Sequence, residues 1–240
     1  MGVLTRTITT KGIEMKISKR AKTNLEQVEK DKVYTAEEAI ELVKKTATTK
    51  FVGSVEVHFK TAIDAKKTDQ AIRGSVTLPH GTGKSKRIAA FVTEVKEAEA
   101  KAAGAAIVGG EELIKKIKET EKTDFEIAVA EPAMMAKLAG IAKILGTRGL
   151  MPNPKTGTVS ENVAAAIKEI AGGKVSFKND NTGNVHQIIG KTNFETTQLL
   201  ENLKKFIDAL HAVKPTAVKK QFLMTMTLNA TMGPGIKFKM

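Results

Sequence analysis

Gly81-Thr82-Gly83-Lys84-Ser85 is the first stretch whose residue types could do chemistry. Glycines ahead of Lys-Ser can cradle phosphates, with the amine on a terminal phosphate and the hydroxyl on magnesium. That pattern needs a further glycine where Leu78 stands and a helix after Ser85, whereas the run from Ile88 to Val92 reads as a strand. Lys155-Thr156-Gly157 has the form of one element of a serine acyl-enzyme site, but no Ser-x-x-Lys occurs anywhere in the chain. The four histidines, His58, His80, His186 and His211, show no ligand spacing. With no cysteine, thiolate catalysis, disulfides and cysteine zinc sites are excluded.

A different chemistry is available on two alternating runs. From Ser54 to Ala62, Val55, Val57 and Phe59 fall on one face and Ser54, Glu56, His58 and Lys60 on the other, the pattern of a half-buried strand. From Phe222 to Thr231, the expected inward set is Phe222, Met224, Met226 and Leu228. The opposite set is Leu223, Thr225, Thr227, Asn229 and Thr231. Hydroxyls and amides displayed in this way suit the 2′-hydroxyls and phosphate oxygens of RNA.

The charge supports an anionic partner. The 240-residue chain carries a formal charge of +13, a balance that favours a polyanion. Aromatic residues are only 4%, with no Trp, too few for a platform that stacks single strands. A folded RNA read by shape, phosphate and 2′-hydroxyl fits better. No apolar run reaches the eighteen or so residues that span a bilayer, and Met1 to Glu14 lacks the apolar stretch of a secretory signal. Met15-Lys16 offers an alternative start to the chain, which would make the preceding residues an extension.

The elements that must position these faces are legible in order. Ser18 to Glu29 reads as a basic helix with Leu25 and Val28 as its apolar pair. Thr35 and Glu38 form a capping box for a helix whose buried stripe is Ala39, Ile40, Leu42 and Val43. From Lys86 the texture becomes βαβα: strands at 88–92, 105–108 and 125–130, and helices at 94–103, 111–121 and from Pro132. That last helix has Met134, Leu138, Ile141 and Leu145 as its stripe. Ile144 to Val159 (ILGTRGLMPNPKTGTV) holds three glycines with Pro152 and Pro154 and predicts a long ordered loop, because prolines remove donors and fix φ. A helix is predicted from Ser160 to Ile170. Strands follow at 174–178 and 185–189, joined as a hairpin across Asn179 to Asn184. Phe194 to Val213 is predicted to be the longest helix, striped by Leu199, Leu203, Phe206, Leu210 and Val213.

This texture implies two domains. Residues 1–79 and 173–240 form a split α+β domain with an antiparallel-type sheet. Residues 80–172 form an inserted Rossmann-like, three-layer α/β domain, although the first-turn Gly-x-Gly-x-x-Gly of dinucleotide binders is missing. The middle segment holds 14 Lys+Arg and 12 Asp+Glu, a net of +2; the two ends hold 25 and 14, a net of +11. Phosphate affinity should therefore reside on the split domain.

The stretch ILGTRGLMPNPKTGTV resembles the signature of the ribosomal protein L-one family, the stalk proteins of the large ribosomal subunit. Ser54 to His58, Arg73-Gly74, Leu78 to Gly83, Asn179 to Gly183 and Thr231 to Pro234 look like that family's other blocks, in its order. The resemblance implies an RNA face built from Lys50, Phe51, Ser54, Glu56, Lys178, Asp180, His186, Thr225, Thr231, Met232 and Gly233. It implies binding to rRNA of the mobile stalk beside other ribosomal components of the cytoplasm. It further implies help in releasing deacylated tRNA from the exit site, and repression of the chain's own operon mRNA. No catalysis, cofactor, metal or membrane is expected. The competing reading is a nucleotide-using enzyme built on the middle segment. The loop carrying Arg148 and Lys155 is expected to shape the inserted domain and to face the other domain or tRNA.

Overall fold

A computed structural model describes residues 9–10, 13–14, 18–29, 32–65, 67–216, 218 and 221–240; the alternative start at Met15-Lys16 lies outside them. The first pair of strands, β1 (Thr9–Thr10) and β2 (Ile13–Glu14), is antiparallel. Ser18 caps α1 (Lys19–Glu26) by accepting from the Ala21 N–H, and Val28 is buried beyond the helix end. After β3 (Tyr34–Thr35), the capping box of α2 (Ala36–Thr46) closes in both directions. The Glu38 N–H donates to Thr35 Oγ1 at 3.4 Å, and the Thr35 N–H donates to Glu38 Oε2 at 3.1 Å. The bond from the Thr35 backbone holds the Glu38 carboxyl below its usual range.

The chain continues through β4 (Ser54–Thr61), β5 (Arg73–Thr77), β6 (Ile88–Phe91), α3 (Glu97–Ala102), β7 (Ile107–Gly109), α4 (Glu111–Thr120) and β8 (Ile127–Ala130). Then come α5 (Met135–Leu138), α6 (Ala142–Thr147), α7 (Val163–Ala171), β9 (Lys174–Lys178) and β10 (Asn184–Lys191). The chain ends with α8 (Thr196–Ala212), β11 (Leu223–Ala230) and β12 (Ile236–Lys239). Five strands form one sheet in the order β10-β4-β11-β12-β3, antiparallel except where β12 runs beside β3. Strands β5 and β9 form an antiparallel pair, and β7-β6-β8 a parallel sheet.

The fold is mixed α/β, and its apolar residues segregate. Residues from Val28 to Leu78 share one core with residues from Val175 to Phe238, so segments a hundred positions apart bury each other. The parallel sheet has a core on each face, as alternation along β6 requires. Ala89 and Phe91 pack with Met134, Leu138, Ile141 and Leu145; Ile88 and Ala90 pack with Val163, Ile167 and Ile170.

Several expectations are corrected. The predicted hairpin across Asn179 to Asn184 is absent: β9 pairs with β5, and β10 pairs with β4. A lone bridge from Asn179 to Val185 marks where the two strands part. Met224 is 60% exposed while Leu223 is buried. The register shifts between Leu223 and Thr225, and one extra residue in a strand resets its alternation. The helix before the loop runs to Thr147, inside the stretch predicted as loop, since its first proline comes only at Pro152. Pro154 to Thr156 form a 3-10 turn, and α7 starts from Asn162 as N-cap, later than Ser160. The strand β12 was not anticipated, although Ile236-Lys237-Phe238-Lys239 alternates after Gly235.

Two connections link the outer and middle parts of the chain, and they touch. The Leu78 N–H donates to the Gly173 carbonyl at 3.3 Å. Gly173 has φ near 100°, and a Cβ there would meet the Gly81 Cα at 2.6 Å. Only glycine combines that conformation with that approach. Buried Asn202 of α8 fastens the crossing. Its carbonyl accepts from the His80 N–H at 3.1 Å, and its amide donates to Gly81 O at 3.0 Å and to Ile189 O at 2.7 Å.

Candidate nucleic-acid interface

The outward face of the five-stranded sheet is a grid set by register. Thr225 lies opposite Lys60, which lies opposite Asn184; Thr227, His58 and His186 form the next rung; Asn229, Glu56 and Ile188 the third. The inward partners Val55, Val57 and Phe59 are fully buried, which fixes the face these groups present. His58 Nδ1 lies 2.8 Å from His186 Nδ1, and His58 Nε2 lies 3.0 Å from Asn229 Oδ1. The Asn229 carbonyl oxygen can only accept, so His58 Nε2 is the donor in that contact, while the roles within the Nδ1–Nδ1 pair follow from the tautomers. His186 Nε2 lies 3.5 Å from Asp180 Oδ2.

Asp180 stands at the far end of that row of contacts. It accepts from the backbone N–H groups of Asn184 at 2.7 Å and Thr182 at 2.9 Å, and from the Thr182 hydroxyl at 2.7 Å. These bonds, the Asn184 backbone first among them, hold its carboxyl well below the usual carboxylate range. Its oxygens are largely engaged in shaping the turn that presents His186.

A second cluster forms where β11 leaves the sheet. The Ser54 N–H donates to Thr231 Oγ1 at 2.9 Å, the Thr231 N–H donates to Ser54 O at 3.0 Å, and Lys191 donates to Ser54 Oγ at 3.1 Å. Ser54 is buried, so its hydroxyl serves this clamp. Met232 follows with φ of 63° and is 69% exposed. A bulky residue in the left-handed region is an outlier worth a functional hypothesis. Arg20 donates to the Met232 carbonyl at 3.3 Å, and the Gly233 N–H donates to Ala230 O at 2.7 Å. Phe51 and Val52 are exposed, and Gly53 between them and Ser54 lies against Thr231.

Of the residues expected at the site, Glu56, His186 and Thr225 lie on the grid. Ser54, Thr231, Met232 and Gly233 form the neighbouring cluster, with Lys50 and Phe51 exposed just before β4. Asp180 stands behind His186, while Lys178 ends β9 in the separate β5–β9 pair. His58, Thr227 and Asn229 were placed on the polar faces but not in the site; the pairing with β10 that couples His58 to His186 has no local signal. Arg20 was missed altogether.

The middle sheet offers no comparable surface. At the carboxyl ends of its strands, where such sheets bind ligands, stands Glu131. It accepts from the Thr93 hydroxyl at 3.0 Å and from Lys96 at 2.8 Å. Lys96 keeps its carboxyl below the usual range, and a fixed carboxylate repels phosphates. No helix begins at Lys84-Ser85. Among the described residues no group of three or more His, Asp or Glu is placed to hold a metal ion, and no helix is long and apolar enough to cross a membrane.

A model of the Ribosomal protein L1p/L10e family matches residues 43–234, most of the chain. The protein belongs to that family, which is structural and not enzymatic. It is 55% identical to the large ribosomal subunit protein uL1 of Mycoplasma capricolum over 222 residues, 92% of this chain and 98% of that protein. It is 49% identical to the uL1 of Fervidobacterium nodosum, covering 92% of this chain and 94% of that one. The uL1 of Frankia casuarinae is 48% identical, at 92% and 93% coverage.

Proposed function

We propose that the protein is a structural constituent of the large subunit of the cytoplasmic ribosome and binds the rRNA of its mobile stalk through the five-stranded sheet. The observation that carries the reading is the grid around His58, His186, Thr225 and Asn229, adjoined by the Thr231-Met232-Gly233 turn. Hydroxyls, imidazoles and an amide held in fixed register match 2′-hydroxyls and phosphate oxygens of a folded RNA. Lys50, Phe51, Glu56 and Asp180 frame it, Lys178 stands apart on the β5–β9 pair, and Ser54 braces its edge. The same surface would bind a similar fold in the chain's own operon mRNA and so repress its translation. Release of deacylated tRNA from the exit site is the third role in this reading.

The proposed division is a split RNA-binding domain of residues 1–79 and 173–240, with 80–172 inserted. It is supported by the shared core of the two ends and by their net charge of +11 against +2. Filter binding with the intact chain tests the reading. Stalk rRNA should bind with log affinity falling linearly in log salt, as counterion release requires, and more tightly than an unrelated hairpin of equal length. Equal affinity for both would remove the specific site.

The loop from Gly149 to Thr158 belongs to the weakly charged segment. Arg148 bonds to the Thr123 hydroxyl and to Glu121 O at 2.9 Å, closing the left-handed end of α4. Replacing both Arg148 and Lys155 by alanine should therefore leave rRNA affinity within about threefold, well under the ~1.4 kcal/mol of a tenfold change. It should slow tRNA departure in a translation assay instead. A tenfold loss of rRNA affinity with folding intact would move the loop into the primary site.

A further inference from the structure

A cleft of about 530 Å³ opens between the β5–β9 pair and the segment from Gly146 to Thr158. In that pair Gly74, Val76, Val175 and Phe177 are buried. Alternation sends Arg73, Ser75, Thr77, Lys174, Ser176 and Lys178 to the opposite face: three cations, three hydroxyls and no carboxylate. Of these, Arg73, Lys174, Ser176 and Lys178 line the cleft. Arg73 and Lys178 are direct register partners, and like charges opposite one another weaken an antiparallel pair. Lys86 enters from the other wall, beside Glu126, the one carboxylate among the lining residues. Burial lowers the pKa of the Lys86 amine and Glu126 offsets part of that. Lys174 is already paired with Glu169 at 2.7 Å. Among the described residues, the side chains of Arg73, Lys86 and Lys178 donate to no protein acceptor.

We propose that this cleft is a binding site for linked phosphate groups. One phosphate fits between Arg73 and Lys178, where it removes the like-charge conflict of that rung; a guanidinium suits it because its fork donates two parallel bonds to phosphate oxygens. A second, linked phosphate meets Lys86 across the cleft and offsets the burial that disfavours its charged amine. The Ser176 hydroxyl adds a donor. Because the charges stand on both walls, such a ligand ties the β5–β9 pair to Lys86, just ahead of β6. The site recognises charge and spacing and not a base, since Phe177 is the one aromatic side chain lining it and is itself buried. Linked phosphates can come from a free polyphosphate or from a nucleic-acid backbone.

Calorimetry of the full chain with tripolyphosphate in phosphate-free buffer tests the site, independently of stalk-rRNA affinity measured in parallel. Saturable binding is expected. Arg73→Gln and Lys86→Gln should each weaken it at least tenfold with unchanged thermal unfolding, while Lys204→Gln, an exposed position on α8, should leave it unchanged. That result assigns the site to a free polyphosphate. If tripolyphosphate gives no heat but stalk RNA shields Lys86 from amine acylation, and Arg73→Gln abolishes the shielding, the phosphates are those of the backbone. Binding that is insensitive to Arg73 and Lys86, or equally weakened by Lys204→Gln, overturns the proposal. So does the absence of both heat and shielding.

Discussion

Asn202→Leu is expected to lower the stability of the chain by about 3 kcal/mol, because one buried carbonyl and two part-buried backbone groups lose their partner at once. Asn202 is fully buried in the apolar stripe of α8, between Leu199, Leu203 and Phe206. Its amide serves three backbone groups: the His80 N–H, the Gly81 carbonyl and the Ile189 carbonyl. Leucine matches the volume and the helix pattern but leaves the buried Ile189 carbonyl without a partner and releases the part-buried His80 N–H and Gly81 carbonyl. The residue ties together the helix, the edge strand β10 and the crossing at Gly81, so the loss reaches the whole outer part. Urea denaturation with a common slope gives the measurement. A loss under 1 kcal/mol would mean that the crossing finds other partners.

The second large effect is on RNA. Met232→Asp should cost on the order of 1–3 kcal/mol of stalk-rRNA affinity, the size of a lost buried contact made worse by a carboxylate facing phosphates. Circular dichroism should be unchanged, since the side chain is mostly exposed and φ of 63° is tolerated by aspartate. Thr231→Val should give a loss of similar order by another route: it removes the acceptor of the Ser54 N–H and frees the start of β4. Lys84→Ala, a cation outside both clusters, should change little. Equal losses in all three variants would indicate diffuse attraction and no specific surface.

What the sequence made legible was whatever a short window determines. The alternation of Val55, Val57 and Phe59 sets the faces of β4, and the Thr35-Glu38 box sets the start of α2. The stripe of Met134, Leu138, Ile141 and Leu145 is buried as its spacing requires, even though that stretch is broken by 3-10 turns. Partner choice was not legible. Strands β9 and β10 are near neighbours in sequence, and a hairpin is the local solution; each instead pairs with a strand from the first third of the chain. The bulge at Met224 was hidden for the same reason, because only the register against β4 reveals the extra residue. The polar face was therefore foreseen strand by strand. The coupling of His58 to His186, and the engagement of Asp180 and Ser54 in bracing it, required the assembled sheet.

The position of β4 between β10 and β11 has a consequence for biosynthesis. Its residues leave the translating ribosome first, yet the strands on both its flanks are made more than a hundred codons later. Until then its two edges are open, and open edges invite wrong pairing. The parallel sheet from Ile88 to Ala130 and the helices on it are complete well before that. Domains generally fold as units while the chain emerges, so the order of folding should run from the middle outward. Strand β4 waits through synthesis of the whole middle segment and is flanked on both sides only when β11 arrives, which also completes the proposed RNA face.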